Sequence, residues 1–347
     1  MVLTSISNAL PEFSSFYHDR IQAELKEIID GNPSALYNML RYHMGWQDEH
    51  GRPYRKKSGK FMRPTLCLLS CQAVEGNVLQ ILPAAAALEL IHNWSLIHDD
   101  IEDAGYERHH RPTVWKLWGQ SQAINAGDAM FTLAYLGLLK LKDNGIADKK
   151  IAHSIQMLTE AVLQLCEGQY LDITYESRRN VTIEDYLDMI AKKTAALMAT
   201  STSLGAYLGS EDGKLIDSFY LFGKELGIAY QIRDDILGIW GTEDNTGKSA
   251  NDISQKKKTL PVVYGLQNSN HEEGERLLKL YSQQSIQGEH ITEVLSILDR
   301  LGARDYAQDL VRQHCRQALA QLGTTGLDPS RQAPLREITH FLLERGY

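Results

Sequence analysis

Cysteine is scarce in this chain. Its 347 residues hold four, Cys67, Cys71, Cys166 and Cys315. That excludes a disulfide framework and suits a reducing compartment, so a cytoplasmic location is expected. Cys67 and Cys71 stand four apart in a helical stretch, but no histidine or further cysteine follows at zinc-ligand spacing, and buried thiols are the simpler reading. Long apolar runs are missing too. No stretch approaches the roughly 20 uninterrupted apolar residues of a membrane span, so no stable membrane insertion is expected. The opening MVLTSISNALPEFSSFYHDRIQAEL lacks the basic start and apolar run of a signal peptide. There is no basic excess: the formal net charge is −8, which argues against a general nucleic-acid binder. Proline-rich or serine-rich linkers, low-complexity tracts and internal repeats are absent, so residues 1–347 read as one domain. Strand-like alternation is rare.

What the sequence does have is helical periodicity along nearly its whole length. With 43% hydrophobic and 23% charged residues, the composition supports a large packed core. Helices are predicted over 11–29, 33–46, 62–75, 79–104, 121–142, 147–178, 182–208 and 214–240. Others are predicted near 260–267, 272–285, 290–322 with a break at Gly302, and 330–345. Two polar, turn-rich stretches, 48–60 and 241–258, read as loops. The expected fold is all-α, a single-domain bundle of roughly 10–15 helices.

The helix predicted over 79–104 contains AAAALELIHNWSLI, apolar nearly all round, and then ends in HDDIED. A buried helix that finishes in carboxylates is a local conflict of the kind found at functional sites. Asp99 and Asp103 lie one turn apart on one face. A second group, Gln231, Asp234 and Asp235, falls near the end of another long apolar helix. Carboxylates held together repel and are costly to desolvate. A hard divalent cation relieves that cost, and magnesium commonly bridges one or two carboxylates to substrate phosphates. Each cluster alone could equally be a solvated helix end; two of them make that reading weaker.

Basic residues recur in the same region: Lys60 and Arg63, Arg108 and Arg111, Lys192 and Lys193, Lys248, and Lys256 to Lys258. Any one of these alone reads as a solvated surface charge. Together with the acidic clusters they suggest a site for diphosphates, which take charge-assisted bonds from arginine forks and lysine point charges.

The order of these motifs resembles the polyprenyl synthetase family, the trans-isoprenyl diphosphate synthases. The matching segments are GKFMRP (59–64), LELIHNWSLIHDDIED (88–103), RPTVW (111–115), NAGDAMF (125–131), CEGQYLD (166–172), KKTAALMATS (192–201), GIAYQIRDDILG (227–238) and KKKTLP (256–261). The resemblance implies an isoprenoid synthase-like bundle around a central active-site cavity. It also implies a short-chain prenyltransferase that joins isopentenyl diphosphate to an allylic prenyl diphosphate. By resemblance, Asp99 and Asp103 bind magnesium on the allylic diphosphate, Asp234 holds a further magnesium with Asp235 in support, and three ions are bound with substrate present. Lys193 and Lys258 resemble the lysines that grip that diphosphate, with Arg108 and Lys248 assisting. Lys60, Arg63 and His92 resemble the pocket for isopentenyl diphosphate, while Thr194 and Gln231 face the developing cation. The implied reaction ionises the allylic substrate, forms a carbon–carbon bond with isopentenyl diphosphate, and passes a proton to the released diphosphate. A homodimer is implied as well.

Two positions depart from the family pattern. Paired arginines usually follow the first acidic motif; here they are Arg108 and His109, with His110 and Arg111 as candidates to compensate. Gly238 stands where the last aspartate of the second motif often does. Product length in the family is set below the first motif. Trp94, five residues before Asp99 and so roughly 7–8 Å down the helix axis, would floor the tail tunnel, with Ser95 small beside it. That favours a geranylgeranyl product, then farnesyl; the alternative is that Trp94 merely packs on a neighbouring helix. Two other functions fit the pattern less well. A class I terpene cyclase would have no use for Lys60, Arg63 and His92. A non-catalytic partner subunit would be expected to lose the aspartates.

Overall fold

The structure, a computed structural model, describes residues 12–31, 33–54, 61–241, 252–283 and 285–344. Helices dominate it. Strand among the described residues is confined to one two-residue antiparallel pair, Glu107–Arg108 with Arg111–Pro112, and an isolated bridge between Gln47 and Pro53. The all-α expectation holds. No described helix is long and apolar enough to cross a membrane.

Backbone contacts divide the chain into two compact units. The first comprises Pro11–Thr159 and Ser201–Ile216. It contains α1 (Glu12–Asp30), α2 (Ala35–His43), α3 (Met62–Ala73), α4 (Leu82–Glu102), α5 (Val114–Trp118) and α6 (Gln120–Leu139). Helix α4 packs against α1, α3 and α6. Its run Ala84 to Leu88, with Leu90 and Ile91, is fully enclosed, as its unbroken apolar sequence requires. The small alanines let neighbouring helices approach, while each buried leucine or isoleucine contributes about 1.5–3 kcal/mol.

The second unit holds Glu160–Thr200 and the chain from Asp217 onward. Helix α7 (Asp148–Ser177) ends in it, α8 (Ile183–Ile190) follows, and α9 (Ala196–Gly209) begins there. Most of α10 (Gly213–Trp240) belongs to it, as do the helices Leu260–Asn268, His271–Tyr281, Glu289–Arg300, Ala303–Thr324 and Pro329–Glu344. A cluster of Ile239, Val262, Leu277, Leu280, Val294 and Leu298 forms a core among the later helices. The break expected at Gly302 is present; with φ of 69° in the left-handed region it caps the start of the helix Ala303–Thr324.

Three local features differ from the sequence expectations. The helix predicted over 33–46 stops at His43, where the chain turns into the bridge at Gln47. The stretch predicted as one helix over 182–208 is interrupted by a π-helical turn, Ala191–Ala195. Residues 105–118, not predicted as an element, form the strand pair and α5.

Candidate active site

In the first unit the candidate residues gather where α4 ends. Helix C-termini carry partial negative charge, and the last turn of α4 has no basic residue to offset it. Asp99 is half-buried there and Asp103 caps the helix in the open, its N–H donating to the Asp99 carbonyl at 2.9 Å. Asp100 turns inward instead. Its carboxylate accepts from Arg108 Nε at 2.9 and 3.0 Å, while Arg108 Nη2 lies 3.4 Å from Asp99. Burial raises the Asp100 pKa above the usual carboxylate range, against the pull of Arg108. Asp99 and Asp103 thus stand one turn apart at the negative end of a helix, a place where a cation is favoured.

Arg108 leads the strand pair, whose two-residue turn is His109–His110 with φ of 53° and 59°. The pair is fastened to the end of α2. Arg111 donates to the carbonyls of Tyr42 at 3.0 Å and Gln47 at 2.8 Å, and its guanidinium lies 3.9 Å from the Tyr42 ring centre and 4.6 Å from that of Tyr54. Tyr42 Oη donates to the Pro112 carbonyl at 2.7 Å. Arg111, a sequence candidate for binding phosphate, therefore works as a fastener.

Below these residues sit Arg63 and His92. The half-buried imidazole of His92 is held well below its usual pKa by burial and by Arg63, Arg108, His43 and His109 around it. His43 is pushed down to about 3 by burial and by Arg108, His109 and Arg111. Glu89 is lifted to about 7 by burial, with Arg63 and Asn93 opposing. The structure therefore brings Arg63, His92, Arg108 and His109 into one electrostatic neighbourhood. Trp94 is half-buried, its ring 5.2 Å from Phe131 of α6 and 5.6 Å from His98, and Phe131 continues to Tyr135 at 5.0 Å. Ser95 donates to the His92 carbonyl at 2.8 Å, within its own helix. Lys60 and Lys248 lie outside the described residues.

In the second unit the candidates centre on the π-helical turn. Lys193 and Thr194 both lie in it, and such turns are frequent at functional sites. Gly168 on α7 makes the approach feasible, because a methyl group there would run into the Lys193 backbone nitrogen. Lys193 Nζ donates to Asp172 at 2.5 Å. Thr194 Oγ1 donates to Gln231 Oε1 at 2.8 Å, and Gln231 Nε2 donates to Asp235 at 2.9 Å. Asp235 also accepts from Tyr186 Oη at 2.5 Å and from the Leu260 N–H at 2.9 Å. It is 5% exposed, and burial lifts its pKa to about 7 despite these bonds. Asp234, one residue earlier, is half-buried. Lys258 donates to the Arg178 carbonyl, and burial, with Arg178 nearby, lowers its pKa. At Gly238 a side chain would collide with the Asp252 carboxylate. Asp252 thus fills the space that an aspartate at 238 would take.

Asp172, Tyr186, Asp252, Glu89, Asn93 and His43 had no role assigned from sequence. Glu89 and Asn93 carried a readable signal as polar residues on an apolar face. Asp252 and Tyr186 carried none, since their relevance is set by partners 14 and 49 residues away. Among the described residues no group of three or more His, Cys, Asp or Glu side chains is placed to hold an ion alone. Oxygen donors in ones and twos fit magnesium, which keeps several waters and takes further ligands from phosphate.

A sequence model of the polyprenyl synthetase family matches residues 46–298. The chain belongs to the polyprenyl synthetase family. As a member of it, the protein is a prenyltransferase. A short chain isoprenyl diphosphate synthase of Methanothermobacter thermautotrophicus is 38% identical over 344 residues, 99% of both chains. A (2E,6E)-farnesyl diphosphate synthase of Mycobacterium bovis is 33% identical, covering 94% of this chain and 91% of the relative. Among solved structures, a geranylgeranyl pyrophosphate synthetase from Pyrococcus horikoshii superposes with a TM-score of 0.85 at 32% identity, over 96% of this chain and 98% of that one.

Proposed function

We propose that this prenyltransferase condenses isopentenyl diphosphate with an allylic prenyl diphosphate and stops at a short chain, geranylgeranyl diphosphate ahead of farnesyl diphosphate. The observation that carries the reading is the gathering of the basic side chains Arg63, His92, Arg108 and His109, with His92 held neutral, beside the acidic end of α4. A diphosphate pocket next to a metal-binding helix end suits two diphosphate substrates. Relatives with synthase names support it further.

Asp99 and Asp103 would hold magnesium on the allylic diphosphate and Asp234 a further ion, three ions in all with substrate bound. Magnesium, when bound, supplies charge that favours departure of the diphosphate. Lys193, Lys258 and Arg108 would bind the departing diphosphate oxygens, fixed cations of the kind that stabilise developing charge. Asp172 holds the Lys193 ammonium in place. Asp235 positions Gln231, and through it Thr194, so that their oxygens face the allylic cation. The allylic C–O bond breaks, the double bond of isopentenyl diphosphate forms the new C–C bond, and the proton lost goes to the released diphosphate. Buried apolar helix faces keep water from the cation. Trp94, with Phe131 behind it, would close the tail tunnel. We assign the protein to the cytoplasm and to homodimers, the latter because α6 exposes Ile124, Leu136 and Leu139.

Purified protein given labelled isopentenyl diphosphate, magnesium and geranyl or farnesyl diphosphate should release a diphosphate longer by five carbons, seen by mass spectrometry. A neutral hydrocarbon or alcohol with isopentenyl diphosphate untouched would mean a cyclase instead.

A further inference from the structure

Threonine inside a helix commonly turns its hydroxyl back to the carbonyl four residues earlier. Thr132, Thr159, Thr174 and Thr339 all do so, at 2.6–3.0 Å. Thr194 stands in the π-helical turn and donates elsewhere, across to Gln231 Oε1 of α10 at 2.8 Å. The approach is built into the backbone. A methyl group at Gly227, one turn before Gln231, would come within 2.6 Å of Ala195 Cα. The direction of the Thr194 hydroxyl is therefore set by what Gln231 offers it.

An amide can offer either a donor or an acceptor. Gln231 Nε2 donates to Asp235 Oδ1 at 2.9 Å, so its oxygen is the end left for Thr194. Asp235 Oδ2 is held by two donors, Tyr186 Oη at 2.5 Å and the Leu260 N–H at 2.9 Å. Leu260 is the first residue of its helix, where the backbone carries partial positive charge. Both donors favour the carboxylate over the acid against the cost of burial, and a carboxylate only accepts. The Leu260 N–H belongs to the backbone, but the phenol is a matter of sequence. Tyr186 lies on α8 and is 2% exposed. Phenylalanine would fill that space with no polar group to bury. Every hydrogen along this line points toward Asp235. Lone pairs remain on Thr194 Oγ1 and Gln231 Oε1, the negative ends of two dipoles, at the residues that face the allylic cation in the synthase reading.

We propose that Tyr186 is a positioning residue for prenyl transfer: by holding Asp235 as an acceptor, it fixes the Gln231 amide and the Thr194 hydroxyl with their lone pairs toward the allylic cation. The inference rests on the synthase reading above.

Calorimetry on the full chain with magnesium, comparing two ligands, tests it. One is geranyl diphosphate with its third carbon replaced by a protonated amine, a mimic of the cation. The other is the saturated carbon counterpart, of the same shape with no charge on the chain. Both carry the diphosphate, so contacts from metal and lysine cancel in the ratio of their dissociation constants. Tyr186→Phe should cut the preference for the amine about tenfold, the size of a misdirected bond to a charged group. It should leave the saturated ligand within about twofold. In turnover it should lower kcat about tenfold with both KM values within about twofold, the pattern of an interaction made only in the transition state. Placed on Asp235→Asn, Tyr186→Phe should cost nothing further, since its effect passes through that carboxylate. A wild-type ratio in folded Tyr186→Phe overturns the assignment, as does equal weakening of both ligands. If Tyr186→Phe fails to fold, Asp235→Asn read on the same two ligands decides. Wild-type protein that leaves isopentenyl diphosphate unconsumed sinks the synthase reading; a working synthase whose variant keeps the wild-type ratio sinks this inference alone.

Discussion

Replacing Glu89 with glutamine should make the protein more stable at pH 8 and nearly unchanged at pH 4. The folded carboxyl stands at about 7 against an ordinary glutamate value of 4.5, because burial outweighs Arg63 and Asn93. A raised folded pKa means that the folded chain binds the proton more tightly than the unfolded chain. The stability from Glu89 is therefore complete below pH 4.5 and is lost as pH rises to about 7. At about 1.4 kcal/mol per pH unit over that interval, the loss comes to about 3 kcal/mol. Glutamine has the shape of the protonated form and keeps an oxygen for Asn93 Nδ2, so it carries no such penalty.

His43 obscures this in the wild type. Its folded pKa is depressed from 6.5 to about 3, so its contribution grows as pH rises through the same range. The two slopes oppose, and Asp235, also lifted to about 7, adds a third, so wild-type stability alone does not isolate Glu89. The difference between Glu89→Gln and wild type isolates the carboxyl. Urea titrations at half-unit steps from pH 4 to 8 should show midpoints that coincide at the acid end and separate by about 1 M above pH 7, taking about 3 kcal/mol per molar for a chain of this size. Midpoints that run parallel across the range would refute the claim that a protonated, buried Glu89 is built into α4.

Two further outcomes follow from the site geometry. Trp94→Ala should lengthen the product by at least one five-carbon unit in mass spectra, since it removes the ring that packs on Phe131; an unaltered distribution means that Trp94 only packs on α6. Gly168→Ala forces α7 away from the π-helical turn, which should cost about 1–3 kcal/mol of stability and lower kcat further than that loss explains by displacing Lys193 and Thr194. Wild-type kcat in that variant would show that the close approach does not hold the turn.

Much of the fold was legible because its signals are local. The apolar run of α4 and its acidic end, the break at Gly302, and the spans of α6, α7 and α10 all follow from periodicity and punctuation within the segments themselves. The π-helical turn was not legible: AKKTA reads as ordinary helix, and what opens it is the approach of Gly168 from another helix and the Thr194 bond to Gln231. The end of α2 at His43 was likewise set from outside, by Arg111 and by the Pro112 carbonyl that Tyr42 bonds. In the site, the aspartates stood out by type and spacing. Asp252 did not, because nothing in its own neighbourhood tells that its carboxylate comes to rest against Gly238. Arg111 looked like an anion ligand in sequence and became a fastener, since charge alone does not say which arginine will find backbone carbonyls.

The turn at His109–His110 shows how these non-local forces act together. With positive φ at both positions this two-residue link has the form that favours Asn-Gly. Histidine at both positions costs of order 1–3 kcal/mol each, and a chain selected only to fold would place glycine there. The conformation persists because it is fixed from either end. Arg108 is clamped by Asp100, Arg111 and Tyr42 hold the return strand, and Thr113 and Trp115 both donate to the Gly105 carbonyl, at 2.8 and 2.7 Å. With both strands immobilised, the two histidines have no lower-energy arrangement to relax into. Glycine would remove the strain and the imidazoles together. The strain is therefore the consequence of keeping two imidazoles, rather than glycine, at the tip of a rigid hairpin.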